Sequence, residues 1–275
     1  MRATPHGLPS STRPPARRRS VPSSTRRAFA VSSPTILKLG GSVITDKDAP
    51  ETVATNRLAR LAADIAGADG PLVVVHGGGS FGHHHASEHG VSRTNGSRDA
   101  QAARDITNAM RTLNDAVVAA LADAGVAAVP VHPFSMAARD ADSDLTLPAG
   151  SVETMLGSGF VPVLHGDVVV HAGEGVTILS GDEIVVSLAE SLGADRVGLC
   201  SAVPGVLDDD ENVISTIEAF DDVAHVLGGS DSTDVTGGMA AKVRELLALD
   251  SPAYIFDADG VGPFLAGERP GTRIG

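Results

Sequence analysis

Glycine-rich turns follow three short apolar stretches of this sequence: Gly40-Gly41-Ser42, residues 76–82, and Ser180-Gly181-Asp182. Glycine lets backbone N–H groups approach an anion closely, and a helix that starts at such a turn adds a favourable dipole. A fourth turn, Gly237-Gly238, opens a predicted helix. None of the four is a Walker A loop or a complete GxGxxG motif. Together they predict a site for a phosphate-rich ligand.

Lysine is scarce, and its positions are informative. Lys38, Lys47 and Lys242 are the only lysines, and every other residue with a permanent positive charge is arginine. Each has an ordinary interpretation, as a strand residue that reaches water, a solvated loop residue and a helix residue. Placed together beside glycine turns, compact ammonium groups suit the neutralisation of charge during phosphoryl transfer. Asp182 is either a helix cap or a carboxylate that holds these lysines or Mg²⁺ in place.

Histidines cluster directly after the second glycine turn, as His83-His84-His85 with His89 one helical turn further on. The spacing of His85 and His89 would place them on one helix face, as in some zinc sites. No glutamate stands between them in the HExxH arrangement, so we expect no metal held by protein ligands. The favoured alternative is that one of the histidines binds a substrate phosphate. Cys200 ends an apolar segment and is expected to be an inert buried thiol.

Strand and helix patterns alternate along the chain from residue 34 onward. Apolar runs predict strands, and i, i+3, i+4 spacing predicts helices. The predicted strands are residues 35–39, 72–75, 126–131, 160–164, 196–199 and 253–256, with a hairpin over 165–177; the predicted helices are 52–66, 98–124, 181–192 and 237–249. This alternation predicts an α/β protein, a three-layer αβα sandwich with an open, mostly parallel sheet.

The first 33 residues differ from the rest, since they hold seven arginines, many serines and prolines, and no acidic residue. Such a segment buries too little apolar surface to offset its ordering entropy, so we expect it to be disordered. Its composition has some features of a targeting peptide, but no apolar core follows, and an extension or a mis-assigned start codon is the simpler interpretation. Residues 34–275 are expected to form a single domain with a soft boundary near Leu179.

Composition narrows the classes of function. The chain has 275 residues and a formal net charge of −13, which argues against a nucleic-acid partner. No apolar run approaches the roughly 20 residues that span a bilayer, so we expect no membrane association and a cytoplasmic location. One cysteine excludes an internal disulfide framework. Acidity combined with scarce lysine suggests a salt-adapted, halophilic protein.

These motifs are similar to those of a known family. The segment Lys38 to Ser42 followed by Thr45-Asp46-Lys47 resembles the opening of the amino acid kinase superfamily. The glycine loop that closes on His83 resembles that of the isopentenyl phosphate kinases, whereas acetylglutamate kinases lack this histidine. Residues 180–182 and 236–242 also fit, and the resemblance runs from residue 34 to the C-terminus. The chain departs from the family at Ala202 and Pro204, where aspartates are common.

The resemblance implies a reaction in which ATP and isopentenyl phosphate give ADP and isopentenyl diphosphate, in an alternative mevalonate route to isoprenoids. It implies a kinase with Mg²⁺, a homodimer, an acceptor-binding lobe over 34–179 and a nucleotide-binding lobe over 180–275. His83, Gly77, Gly78, Gly82 and Gly181 would form the acceptor site; Lys38, Gly40, Gly41, Ser42, Gly79, Gly238 and Lys242 would bind ATP; Lys47 would bridge the transferred phosphoryl group; and Asp182 would orient Lys38 and Lys242.

Three other functions stay open at this point. A kinase of the same fold could act on another small phosphate, a phosphonate or a carboxylate such as an acyl-glutamate. A nucleotide-binding module without catalysis is also compatible with glycine turns, although the joint presence of the three lysines and Asp182 argues against it. The hypothesis of a metal-storage protein depends on the histidine cluster alone.

Overall fold

The structure is a computed structural model, and it describes Met1, residues 33–227 and residues 238–275. The chain divides into two units, residues 1–30 and residues 31–275. The segment expected to be a disordered leader therefore lies outside the described residues, apart from Met1 and Ser33. All elements that follow belong to the second unit.

An eight-stranded sheet forms the centre of this unit. Its strands are β1 (Thr35–Leu39), β2 (Leu72–His76), β3 (Ala128–Pro130), β6 (Val161–His165), β9 (Arg196–Cys200), β10 (Thr216–Ile217), β11 (Ala253–Phe256) and β12 (Thr272–Ile274). The order across the sheet is β10-β12-β11-β9-β1-β2-β6-β3. Neighbours are parallel except that β12 runs antiparallel to β11. β1 is a central strand, paired with β9 on one side and β2 on the other.

Helices cover both faces of this sheet. They are α1 (Gly41–Ile44), α2 (Thr55–Ala66), α3 (Gly79–Glu88), α4 (Ala100–Asp123), α5 (Gly150–Gly157), α6 (Gly181–Leu192), α7 (Ala224–Leu227), α8 (Gly238–Leu247) and α9 (Val261–Leu265), with 3₁₀ turns at Pro133–Ser135, Phe220–Asp222 and Ala258–Gly260. Helices α2, α4 and α9 pack on one face, and α5, α6 and α8 on the other. The predicted three-layer αβα sandwich is confirmed.

Alternation along the strands explains why both faces are covered. In β1, Ile36 packs with the α6 and α8 side and Leu37 with the α2 and α4 side. Successive side chains of a strand point to opposite faces, so an apolar run without polar gaps requires two cores. Each of these two side chains is fully buried, and burying such a side chain contributes roughly 1.5–3 kcal/mol.

A second, four-stranded sheet was not expected from the sequence. It contains β4 (Ala138–Arg139), β5 (Leu145–Thr146), β7 (Asp167–His171) and β8 (Gly175–Leu179) in the order β5-β4-β7-β8. The predicted hairpin over 165–177 is present as β7 and β8. This hairpin belongs to the small sheet because β7 pairs with β4. Strand β4 has two residues, which is too short to show a periodic pattern in the sequence. The turn Ser180-Gly181-Asp182 therefore follows a strand of the second sheet.

No helix within the described residues is long and apolar enough to cross a membrane.

The longest helix among these residues, α4, begins after Asp99, whose side chain accepts a hydrogen bond from the Gln101 backbone N–H. This is the N-cap arrangement that satisfies a free donor at a helix start. One stripe of α4, which includes Leu113 and Val117, is fully buried against the sheet.

Candidate functional site

The turns after β1 and β2 pack closely against each other. A Cβ atom on Gly41 would overlap the backbone nitrogen of Gly79. Gly79 itself has φ +49° and opens α3, and a Cβ there would overlap the Thr45 side chain. Thr45 Oγ1 donates to the Gly41 carbonyl oxygen and accepts from the Ser80 N–H, so it ties the two turns together. The glycines are thus required where two parallel strands end side by side.

A buried carboxylate joins two of the lysines. Lys38 Nζ lies 2.5 Å from Asp182 Oδ1, and Lys242 Nζ lies 3.5 Å from Asp182 Oδ2. Lys38 does not reach solvent from an edge strand, since it is in the central strand and only 7% exposed. Burial raises the pKa of the Asp182 carboxyl, but the ammonium groups of Lys38 and Lys242 outweigh burial and hold it below its usual value. The carboxylate therefore stays ionised and carries one lysine on each oxygen.

The side chain of Asp182 is held by the start of α6. Ser180 is the N-cap of this helix, and it forms a capping box with Glu183. A capping box satisfies two free backbone donors and fixes the orientation of the first turn. Asp182 lies in that first turn, so its carboxylate points from a rigid helix start toward β1.

A cleft of about 770 Å³ lies at this end of the sheet. Its lining includes most of the residues predicted from the sequence: Lys38, Gly40, Gly41, Ser42, Lys47, Gly77, Gly78, Gly79, Gly82, His83, Gly181, Asp182 and Lys242. Gly238 is not among the lining residues; it begins α8 with φ +68°, one turn before Lys242. Its neighbour Gly237 lies outside the described residues. The roles of these residues remain predictions.

The other two predicted groups approach the cleft from different elements. His83 lies in the first turns of α3 and is half-buried. Lys47 is exposed in the loop after α1 and lines the same cleft. Among the described residues, no ion pair involves Lys47. Its ammonium is therefore positioned by its backbone and is available to an anion.

A row of buried histidines, which was not predicted from the sequence, lies at the ends of two strands next to the cleft. His76 ends β2 and His165 ends β6, both fully buried, with their rings stacked 5.6 Å apart. In each case Nδ1 donates to the carbonyl oxygen of the glycine that follows, at 3.0 Å for His76 and 2.9 Å for His165. The His-Gly dipeptide repeated at two strand ends was the signal that could have revealed them.

Polar groups on neighbouring elements complete this row. His76 Nε2 lies 3.1 Å from Asn114 Oδ1, and His165 Nε2 lies 3.0 Å from His132 Nδ1. Burial lowers the pKa of His76 to about 4 and that of His165 to about 3. Both rings are therefore neutral at physiological pH.

Asp167 is a second acidic residue in the cleft lining, and the sequence analysis did not find it. Its Oδ1 accepts from Thr107 Oγ1 at 2.7 Å and from the Val168 N–H at 2.8 Å. Its Oδ2 lies 3.7 Å from His165 Nδ1. Burial raises the pKa of Asp167 to about 6. An acid at the end of an apolar strand gave no signal in the sequence beyond ordinary strand termination.

The remaining histidines of α3 pair with carboxylates. His85 Nε2 lies 3.0 Å from Glu51 Oε1, and His89 Nε2 lies 3.0 Å from Asp105 Oδ2. Within the described residues no group of three histidine, cysteine or acidic side chains is placed to hold a metal ion. Cys200 is buried, and burial raises the pKa of its thiol to about 12, which makes a thiolate nucleophile unavailable at neutral pH.

The site can bind two anions next to each other. Backbone N–H groups of the glycine turns, the start of α3 and the lysine ammonium groups all present positive potential to one cleft. The chemistry that this set of groups favours is the transfer of a phosphoryl group between bound phosphates.

Comparison with known proteins places the chain among kinases. A sequence model of the "Amino acid kinase family" matches residues 33–251. The isopentenyl phosphate kinase of Haloferax volcanii is 64% identical over 241 residues, covering 87% of this chain and 97% of the relative. That of Methanocaldococcus jannaschii is 33% identical, covering 87% and 98%. A solved isopentenyl phosphate kinase structure superposes with a TM-score of 0.71 at 29% identity, over 88% of this chain and all of the other.

Proposed function

The chain belongs to the isopentenyl phosphate kinases of the amino acid kinase family, and from this premise we propose that it transfers the γ-phosphoryl group of ATP to isopentenyl phosphate. The observation that carries the proposal is the meeting of Lys38, Lys47 and Lys242 at one cleft with Asp182 and the glycine turns. The high identity to the Haloferax volcanii isopentenyl phosphate kinase over most of both chains supports the choice of acceptor.

Charge repulsion is the main barrier that the site has to lower. Both reactants are anions, and an oxygen of the acceptor phosphate attacks the γ-phosphorus while the bond to the β,γ-bridging oxygen breaks and ADP leaves. The acceptor oxygen is already anionic, so no general base is needed. Fixed cations and helix N-termini stabilise the charge of the transition state without reorganising. Lys38 and Lys242, each held by Asp182, suit the ATP phosphates, and the unpaired Lys47 suits the phosphoryl group in transit.

The acceptor phosphate is assigned to His83 and to the N–H groups of Gly77, Gly78 and Gly82. His83 lies on the first turns of α3, where the helix dipole favours an anion. A histidine there can match the protonation state of the phosphate and fix its orientation. Gly181 also lines the cleft, beside Lys38, since a Cβ at this position would lie 3.1 Å from Lys38 Cε.

Mg²⁺ enters this proposal as the ion that accompanies ATP. The acidic residues of the cleft lining are Asp167 and Asp182. Asp182 is taken by two ammonium groups. Asp167 Oδ1 accepts from Thr107, whereas its buried Oδ2 has no hydrogen-bond partner among the described residues and lies 3.7 Å from His165 Nδ1. No group of three histidine, cysteine or acidic side chains is placed to hold a metal ion within the described residues, so we assign Mg²⁺ to the substrate phosphates and water, which it commonly binds.

A coupled assay of ADP release tests the proposal. The full chain is incubated with ATP, Mg²⁺ and a panel of acceptors: isopentenyl phosphate, longer alkenyl monophosphates, a phosphonate and an acyl-glutamate. We expect the highest kcat/KM with isopentenyl phosphate. His83→Ala should remove most turnover, whereas His89→Ala, at the C-cap of the same helix and outside the cleft lining, should retain it. Preference for another acceptor, or near-normal turnover of His83→Ala, would contradict the assignment.

Three finer statements belong to the same proposal. We infer an alternative mevalonate route because its last phosphorylation step has isopentenyl phosphate as substrate. We also infer a homodimer and a salt-adapted cytoplasmic enzyme, the latter from the net charge of −13. Light scattering at low and at molar KCl tests both the dimer and the salt requirement. A monomer that is equally stable at low salt would remove these two inferences and leave the reaction unaffected.

A further inference from the structure

The loop that carries Lys47 is closed by contacts between its two ends and is also attached to helix α3. We name residues 46–52 the lysine loop. Its neck is closed by the antiparallel bridge between Thr45 and Val53 and by the Asp46 N–H, which donates to the Thr52 carbonyl oxygen at 2.8 Å. These contacts hold the ends of the loop. The exposed Lys47 follows directly after Asp46, and none of these neck contacts involves its side chain.

Two neighbouring residues attach the loop to α3: the Thr52 N–H donates to Ser80 Oγ at 3.4 Å, and Glu51 makes two further contacts. Its backbone N–H donates to the Ser80 carbonyl oxygen at 3.2 Å, and its Oε1 lies 3.0 Å from His85 Nε2. Its φ is +46°, a left-handed conformation that is costly for a residue with a side chain. Such a conformation persists only where surrounding contacts over-determine it, and it often marks a functional constraint. Here the contacts that do so are the two to α3.

His85 is placed to bridge the loop and the helix. Its Nε2 faces Glu51, and its Nδ1 lies 3.3 Å from Glu88 Oε2 on the next turn of α3. An imidazolium donates from both nitrogens, so the ring in its charged form is satisfied on both sides. His84 is the ring neighbour of His85 and pairs separately with Glu88 at 3.6 Å. Thus His85 is the histidine of this cluster that reaches across to the lysine loop.

We propose that His85 is a positioning residue for phosphoryl transfer, which holds Lys47 in place through its ion pair with Glu51. Lys47 has no ion pair of its own within the described part of the chain, so the placement of its ammonium depends on the backbone of the lysine loop. Helix α3 also carries His83, so the pair links the two groups that face the transferred and the accepting phosphate. This inference rests on the proposed function, in which Lys47 acts on the transferred phosphoryl group.

The central test is a double-mutant cycle between His85 and Lys47, measured as kcat with ATP and isopentenyl phosphate. We expect His85→Gln to lower kcat about 3- to 10-fold with less than about a twofold change in either KM, because misplacement of a transition-state group lowers kcat selectively. In the Lys47→Ala background the same change should have no further effect, because the group that it positions is gone. Independent, multiplicative effects would overturn the proposal.

Two further variants separate positioning from stability. Glu51→Gly removes the ion pair and also the strain at positive φ, so it should lower kcat like His85→Gln while leaving the chain at least as stable to urea. His89→Gln is the matched control, because it breaks an equally short imidazole–carboxylate contact from α3 to α4. It should leave kcat unchanged. Normal kcat in Glu51→Gly, or an equal loss in His89→Gln, would refute the role of the pair.

Failure of the proposed function has a different signature. If the wild-type chain releases no ADP with any acceptor of the panel, the reaction is wrong. If Lys47→Ala keeps full kcat, the role of Lys47 is wrong, and the positioning role of His85 is overturned with it. If Lys47→Ala loses kcat and His85→Gln does not, only the positioning role is wrong. Hydrogen exchange of residues 46–52 gives a readout without turnover: it should accelerate in His85→Gln and not in His89→Gln.

Discussion

Acid should destabilise this protein well above the pH at which its carboxylates titrate, because His76 and His165 are buried as neutral rings. In the unfolded chain each ring has a pKa near 6.5, whereas in the folded protein the values are about 4 and about 3. Between these limits the unfolded state binds more protons than the folded state, so the free energy of unfolding falls as the pH falls. From pH 8 to pH 5 each ring removes about 2 kcal/mol.

Asp167 acts in the opposite direction. Burial raises its pKa to about 6, so the folded state takes up a proton that the unfolded chain still lacks at pH 5. This proton uptake adds about 1 kcal/mol to the free energy of unfolding at pH 5. The two histidines and Asp167 together should therefore lower the free energy of unfolding by about 3 kcal/mol from pH 8 to pH 5. That is a large part of the 5–15 kcal/mol that typical domains possess.

Urea unfolding at constant KCl, followed by far-ultraviolet circular dichroism because the chain has no tryptophan, measures the difference between pH 8 and pH 5. His76→Gln should reduce the loss by about 2 kcal/mol, since one titrating ring is gone. Asp167→Asn should enlarge it by about 1 kcal/mol, because the compensating proton uptake is removed. Equal unfolding free energies at the two pH values in the parent chain would refute the assignment of neutral buried rings.

Three substitutions in the cleft have separable outcomes. Steady-state kinetics should show that Lys47→Ala lowers kcat at least tenfold with little change in the KM for ATP. A retained kcat would contradict a transition-state role for Lys47. Asp182→Asn should cost about 3–5 kcal/mol in urea unfolding and most of the activity, because it leaves the buried Lys38 ammonium unpaired. Gly79→Ala should lower the free energy of unfolding by more than Gly90→Ala does. Gly90 has a φ of +62° but open space around it, so its change to alanine costs about 1 kcal/mol for the backbone conformation alone. Equal losses in the two variants would contradict the close approach of the two turns.

The layers of the fold were predictable because long apolar periodicities fix them. Helix α4 and strands β1, β2 and β9 lie within a few residues of their predicted bounds. The second sheet was not predictable, because β4 and β5 have two residues each and their pairing depends on long-range contacts. Helix α3 was also not predicted as an element, since its ten residues include two glycines and three histidines, which carry little apolar periodicity.

The site was predictable to the extent that its residues carry a local signature. Glycines at strand ends and rare lysines can be recognised in sequence, and both line the cleft. The contact of Lys38 and Lys242 with one carboxylate joins positions far apart in the chain; the residues alone left it as an alternative to a helix cap at Asp182, and the resemblance to the kinases favoured it. The buried row of His76, His165 and Asp167 was hidden, because an isolated polar residue at the end of a strand looks the same whether it is solvated or buried.

The gathering of every lysine at one cleft has a practical consequence for chemical labelling. Lys38, Lys47 and Lys242 all line the cleft, so an amine-reactive reagent that modifies any lysine of this chain modifies the site. Lys47 is exposed and Lys38 is buried, which should give a graded labelling pattern readable by mass spectrometry, with ATP as the protecting ligand. For the same reason, immobilising the protein on a sensor through its lysine side chains would block the surface that binding experiments are meant to probe.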